Sequence, residues 1–81
     1  MELLVIGRVY DEYMVYSYTE QKNVNVVDEY VLTRIEQSYR MMVVSEYRIY
    51  QIHGKLTDEL IAVFYDEDRA RKFLETLKGE E

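Results

Sequence analysis

The chain carries one histidine, His53, and no cysteine. A nucleophile–base pair needs a Ser, Thr or Cys with a base in reach, so His53 with nearby Asp58 or Glu59 is the set that a small hydrolase or nuclease would use. Proximity in sequence is its whole support. No partner motif accompanies His53, and beside Gly54 it reads as a solvated turn residue. Acidic runs at Asp11-Glu12, Asp28-Glu29, Asp58-Glu59 and Asp66-Glu67-Asp68 offer carboxylates for acid–base work or hard cations. Adjacent strand residues point to opposite faces, however, so no doublet converges on one ion by itself. None is followed by the glycine of a calcium loop, and they read as solvated bends and a helix start. Gly7, Gly54 and Gly79 are too scattered for a phosphate cradle, and zinc spacing is absent. The sequence names no catalytic, metal or cofactor residues, and none of these is expected.

Nine tyrosines remain as the chemical resource. Tyrosine joins an apolar body to a polar tip, and aromatics beside arginine are enriched at interface hot spots. Strand parity places Arg8, Tyr10, Tyr16, Tyr18, Met42, Arg48 and Tyr50 on one side of a meander. These are the candidate interface residues. The plainer account is a half-buried second sheet face with its hydroxyls in water. Stacking on unpaired bases is a third use of such a face, but the net charge of -6 opposes direct nucleic-acid binding. The same charge, clustered at Asp11, Glu12, Asp28, Glu29, Asp58 and Glu59, defines a candidate acidic patch.

With 81 residues the chain makes one domain, residues 1–81. Apolar residues make up 48%, enough for a core and too many for a disordered chain. No disulfide is possible, which fits a reducing compartment. The apolar run at the start ends at Arg8, too short for a membrane span. A cytoplasmic protein is expected, with no membrane partner. Few Asn and Gln beside many Glu, Tyr and Val hint at a thermophilic source.

An internal repeat orders the chain. Val9–Tyr16 recurs at Val26–Thr33, at Val43–Tyr50 and, more loosely, at Leu56–Val63. Such self-similarity points to one structural unit used several times. Leu60–Tyr65 reads as a strand. Asp66 then offers an N-cap, and Ala70, Phe73, Leu74 and Leu77 share one helical face before Gly79, so 66–78 is a helix. Arg40–Ile52 reads as one long strand before a turn at His53-Gly54-Lys55. Leu3–Val9 and Tyr13–Thr19 suggest a hairpin about Asp11-Glu12. Residues 24–39 fit either a helix, with Val24, Val27, Val31 and Ile35 on one face, or a β-branched strand. The repeat favours strand.

In each copy an Asp or Ser (11, 28, 45, 58) falls on the core parity, which suggests a bend or bulge. Other turns are expected at Glu20–Asn23 and Glu36–Arg40. The expected fold is α+β and mostly β: a curved antiparallel meander of about five strands over 2–65, closed by a C-terminal helix. In element order alone this resembles small SH3-like barrels with a C-terminal helix, such as chromodomains and some archaeal chromatin proteins. The alternative is a ββαββα two-layer sandwich. Function is expected to be a non-enzymatic interaction or regulatory module that binds a protein partner, or itself as a homo-oligomer, through the Tyr/Arg/Met face. An acidic inhibitor or nucleic-acid mimic aimed at a basic groove, and a small hydrolase or nuclease, are the alternatives.

Overall fold

The computed structural model describes residues 2–53 and 58–78. Its elements are β1 (Glu2–Ser17), β2 (Lys22–Tyr39), β3 (Met42–His53), β4 (Glu59–Phe64) and α1 (Glu67–Thr76). The strands form one antiparallel sheet in the order β1-β2-β3-β4, so the meander is open, with β1 and β4 as its edges. Residues 24–39 lie in β2, where β-branched side chains and tyrosine fit a pleated surface on both sides. This excludes the ββαββα alternative.

Among the described residues the strands number four rather than about five, because Asp11-Glu12 is not a turn. Asp11 opposes Asp28 in unbroken register and β1 runs on to Ser17. No glycine or proline interrupts Val9–Ser17, and its β-branched and aromatic residues favour continued extension. Nor do the bends fall on the repeated Asp and Ser. The ladder slips at Ile6, since Val5 opposes Thr33 and Gly7 opposes Leu32, and at Ile61, since Ile49 opposes Ala62 and Tyr50 opposes Leu60. A bulge turns one extra residue of a strand to a chosen side. Here both extra isoleucines pack toward the helix-covered core, so apolar demand under α1 sets the bends. The turn expected at His53–Lys55 lies, from residue 54 on, outside the described residues. His53 ends β3 at the register position opposite Asp28.

The helix covers one face. Asp66 caps it by accepting from the Asp68 backbone N–H at 3.3 Å, and Glu67 and Asp68 place negative charge at the positive end of the helix dipole. Ala70 and Leu74 are buried on the row Gly7·Leu32·Ile49·Ala62, with Leu32 and Ile49 fully buried beneath. Phe73 meets Phe64 with ring centroids 5.4 Å apart. The stop expected at Gly79 lies outside the described residues. Leu77 already closes the helix, its N–H donating to Leu74 O at 3.1 Å.

This core occupies the middle of a long molecule, 59 × 24 × 14 Å. β3 pairs with β2 from Asp28 onward, so residues 12–27 project as a two-stranded arm. Among the described residues no helix is long and apolar enough to cross a membrane.

Candidate interaction face

The sheet face away from α1 is built in cross-strand rows. Leu3, Ile35 and Glu46 stand side by side; then Val5, Thr33, Arg48 and Val63; then Arg8, Val31, Tyr50 and Leu60; then Tyr10, Glu29 and Ile52. Their order follows from strand parity, with the two bulges restoring alignment. No described element covers this face, yet its floor on β2 is dry: Val31 is 6% exposed and Ile35 2%. Arg8 of β1 and Tyr50 of β3 flank Val31 in its row. The result is a shallow concavity of about 460 Å³ between the Arg8–Glu29 pair on one side and Tyr50 on the other.

Two ion pairs frame the floor. Arg8 Nε lies 3.2 Å from Glu29 Oε1. Arg48 pairs with Glu46, and its Nη1 donates to the Tyr50 hydroxyl at 3.5 Å. The hydrogen bonds to Tyr50 and Glu46 hold the Arg48 guanidinium above its ordinary value, so it is a fixed cation. Thr33 Oγ1 is turned to the Arg48 carbonyl at 3.4 Å. The face therefore offers an apolar trough between two neutralised arginines, an arrangement suited to an aliphatic or aromatic side chain flanked by polar groups.

Of the candidate interface residues, Arg8 and Tyr50 line this trough, and Tyr10 and Arg48 stand in the adjoining rows. Tyr16 shares the face but sits on the arm, where its ring meets Tyr18 edge-on at 5.1 Å in the turn. Met42 is at the opposite tip, beside Tyr39 in the register. The apolar floor of Val31 and Ile35 was missed by sequence reasoning; the signal was the short apolar run Tyr30-Val31-Leu32, which marks a strand buried on both sides, and Ile35 lies beyond it.

The acidic residues do not gather on one surface. Glu12 and Glu29 share the open face and Asp58 lines its concavity, while Asp11 and Asp28 lie on the α1 side. There Asp28 is 3% exposed and its Oδ2 accepts from the Tyr13 hydroxyl at 3.0 Å. Gln51 Nε2 donates to the Tyr30 hydroxyl at 3.2 Å in the same layer. Glu59 opposes Gln51. Among the described residues no three His, Cys, Asp or Glu side chains are placed to hold a metal ion. No protein-family model, curated protein or solved structure matches this chain.

Proposed function

We propose that the chain is a non-enzymatic interaction module that binds a protein partner through the open sheet face. The observation that carries this reading is the dry floor of Val31 and Ile35 under no second layer, bordered by Arg8, Arg48 and Tyr50. A sheet face with an apolar centre and a polar rim has the anatomy of a protein interface. Tyr and Arg are the residues most often dominant in such contacts. The acidic-mimic alternative would need carboxylates along one surface, and here they divide between two faces, several of them already paired with arginine or tyrosine.

The test places a photo-crosslinking phenylalanine analogue at Tyr50, and for comparison at Lys72 on the helix, in the source cells. A partner joined through position 50 and not through 72, and lost in a Tyr50→Asp protein with an unchanged circular dichroism spectrum, is the expected result. Equal capture at both positions, or none at 50, would overturn the proposal.

A further inference from the structure

The long edge strand carries a separate inference. A compact monomer of 9.8 kDa exposes about 5,200 Å², and this chain exposes 6500 Å². Its radius of gyration is 15.9 Å, against about 12 Å for a globular chain of this length. The excess of about 1,300 Å² exceeds the roughly 800 Å² that each partner buries in a standard interface. The arm of residues 12–27 contributes to it, with Met14, Tyr16 and Val27 exposed. A lone two-stranded ribbon is marginal in water, so the arm needs a neighbour.

β1 supplies the place for one. Its 16 residues contain no proline and no lysine, and its one bulge lies at Ile6, so Gly7–Ser17 remains a long regular edge, whereas the other edge, β4, has six residues. Two copies meeting at β1 in antiparallel fashion, with their open faces on the same side, require a two-fold axis normal to the sheet, which sets one residue opposite itself. The charges of β1 choose among the registers. An axis at Arg8, Asp11 or Glu12 sets a charge against its own copy, and an axis at Val9 pairs no charges at all. An axis at Tyr10 sets Arg8 of each copy opposite Glu12 of the other, both on the open face, and forms two ion pairs. It also falls near the middle of Glu2–Ser17, so nearly the full strand is paired.

We infer that two copies of this chain join β1 to β1 about a two-fold axis through Tyr10, making one eight-stranded sheet. Each arm then lies along the first residues of the other copy's β1, with Met14 and Tyr16 near its Val5 and Leu3. The bulge at Ile6, whose carbonyl accepts from Arg71 at 3.3 Å, interrupts the ladder there without touching the Arg8–Glu12 centre. The two open faces become one continuous surface.

The dimer seam shares Arg8 with the border of the trough but leaves Tyr50 outside it, so Tyr50 variants test the trough and Glu12 and Tyr10 variants test the seam. Sedimentation equilibrium of the full chain should show a dimer at micromolar concentration. Glu12→Arg, at an exposed position, should raise the dissociation constant at least tenfold by setting arginine against arginine, and adding Arg8→Glu should recover most of it. Because the chain has no cysteine, Tyr10→Cys reports the register: opposed strand residues fall within disulfide reach. Under mild oxidant Tyr10→Cys should form covalent dimers and Tyr16→Cys should not. A monomer at 100 μM (roughly a hundred times the concentration at which a micromolar dimer half-forms) would overturn the inference. So would a dimer indifferent to Glu12→Arg, or cross-linking at 16 in preference to 10. Tyr50→Asp should leave the dimer intact.

Discussion

The Tyr13 hydroxyl donates to Asp28 across the β1–β2 ladder at 3.0 Å, two rungs beyond the last tyrosine that the helix-covered core buries. A buried carboxylate is tolerated where hydrogen bonds replace its water. The bond to Asp28, then burial, holds the Tyr13 phenol above its ordinary value; burial, then the charge of Asp28, does the same for Tyr30. In both, the folded chain favours the neutral phenol. The stabilisation is therefore complete below the unfolded phenol pKa of about 10 and is lost as pH rises through the folded values. Thermal unfolding followed by circular dichroism should show the midpoint falling above pH 10 (about the unfolded phenol value). Tyr13→Phe should lower the midpoint at neutral pH and flatten the alkaline fall, since the Tyr13 contribution is then gone. An alkaline fall as steep in the variant as in the parent would contradict this coupling.

Asp11 stands directly opposite Asp28 in the same layer. Like charges opposed across a sheet destabilise it, by about 0.5 kcal/mol, and a net charge of -6 adds to the repulsion. Asp11→Asn keeps the shape and removes one charge. Its urea midpoint should rise, with an unchanged slope. A lower midpoint would mean that the Asp11 carboxylate is needed as an acceptor.

A Cβ added at Gly7 would come within 3.0 Å of Leu74 Cδ2, so the bulge and the helix approach each other through the missing side chain. Leu74→Ala should cost about 2–5 kcal/mol, a large share of the roughly 4–12 kcal/mol expected for a chain this long. Gly7→Ala alone should cost about 1 kcal/mol by overpacking. In the Leu74→Ala background the same change keeps only ordinary contact with Leu32, 3.6 Å away, and it should become neutral or stabilising because alanine restricts the unfolded chain more than glycine. A double-mutant cycle from urea titrations reads the coupling directly. Additive effects would place the Gly7–Leu74 contact outside the energetics of helix docking.

The terminal strand and helix were legible because their signals are local: an apolar run, the cap at Asp66, and Ala70, Phe73, Leu74 and Leu77 at helical spacing. Parity along β3 was legible for the same reason, separating Tyr47 and Ile49 from Glu46, Arg48 and Tyr50. The bulges were not, since Ile6 and Ile61 leave the ladder to satisfy a helix that lies 60 or more residues away from Ile6 in the chain. The repeat was read as a series of bends because a polar residue on the core parity is out of place in a fully covered sheet. This sheet is covered only at its centre, so Asp11 and Asp28 can lie on the helix side beyond the reach of α1. The Tyr/Arg side chains of the open face could be listed from parity, but the meeting of Arg8 and Tyr50 about Val31 depends on register between strands, which no local signal carries.

The β2–β3 hairpin closes with two residues, Arg40 and Met41, between the paired Tyr39 and Met42. Both have positive φ, 51° and 36°. This left-handed pair suits the right-handed twist of the strands and is normally made by Asn-Gly, because a Cβ in that conformation costs about 1–2 kcal/mol per residue. Arg40 stacks on Tyr39, 5.5 Å from the ring centroid, which offsets part of its strain. Met41 is fully exposed and gains no such contact. Met41→Gly should therefore stabilise the chain by about 1 kcal/mol, and Arg40→Asn by less, because it forfeits the stacking. Thermal midpoints of the two single variants and the double variant test the order. If Met41→Gly destabilised the chain, the strain at the tip would have to be offset by a contact of the methionine itself, and the hairpin tip would join the open face as a surface whose sequence is held for something other than stability.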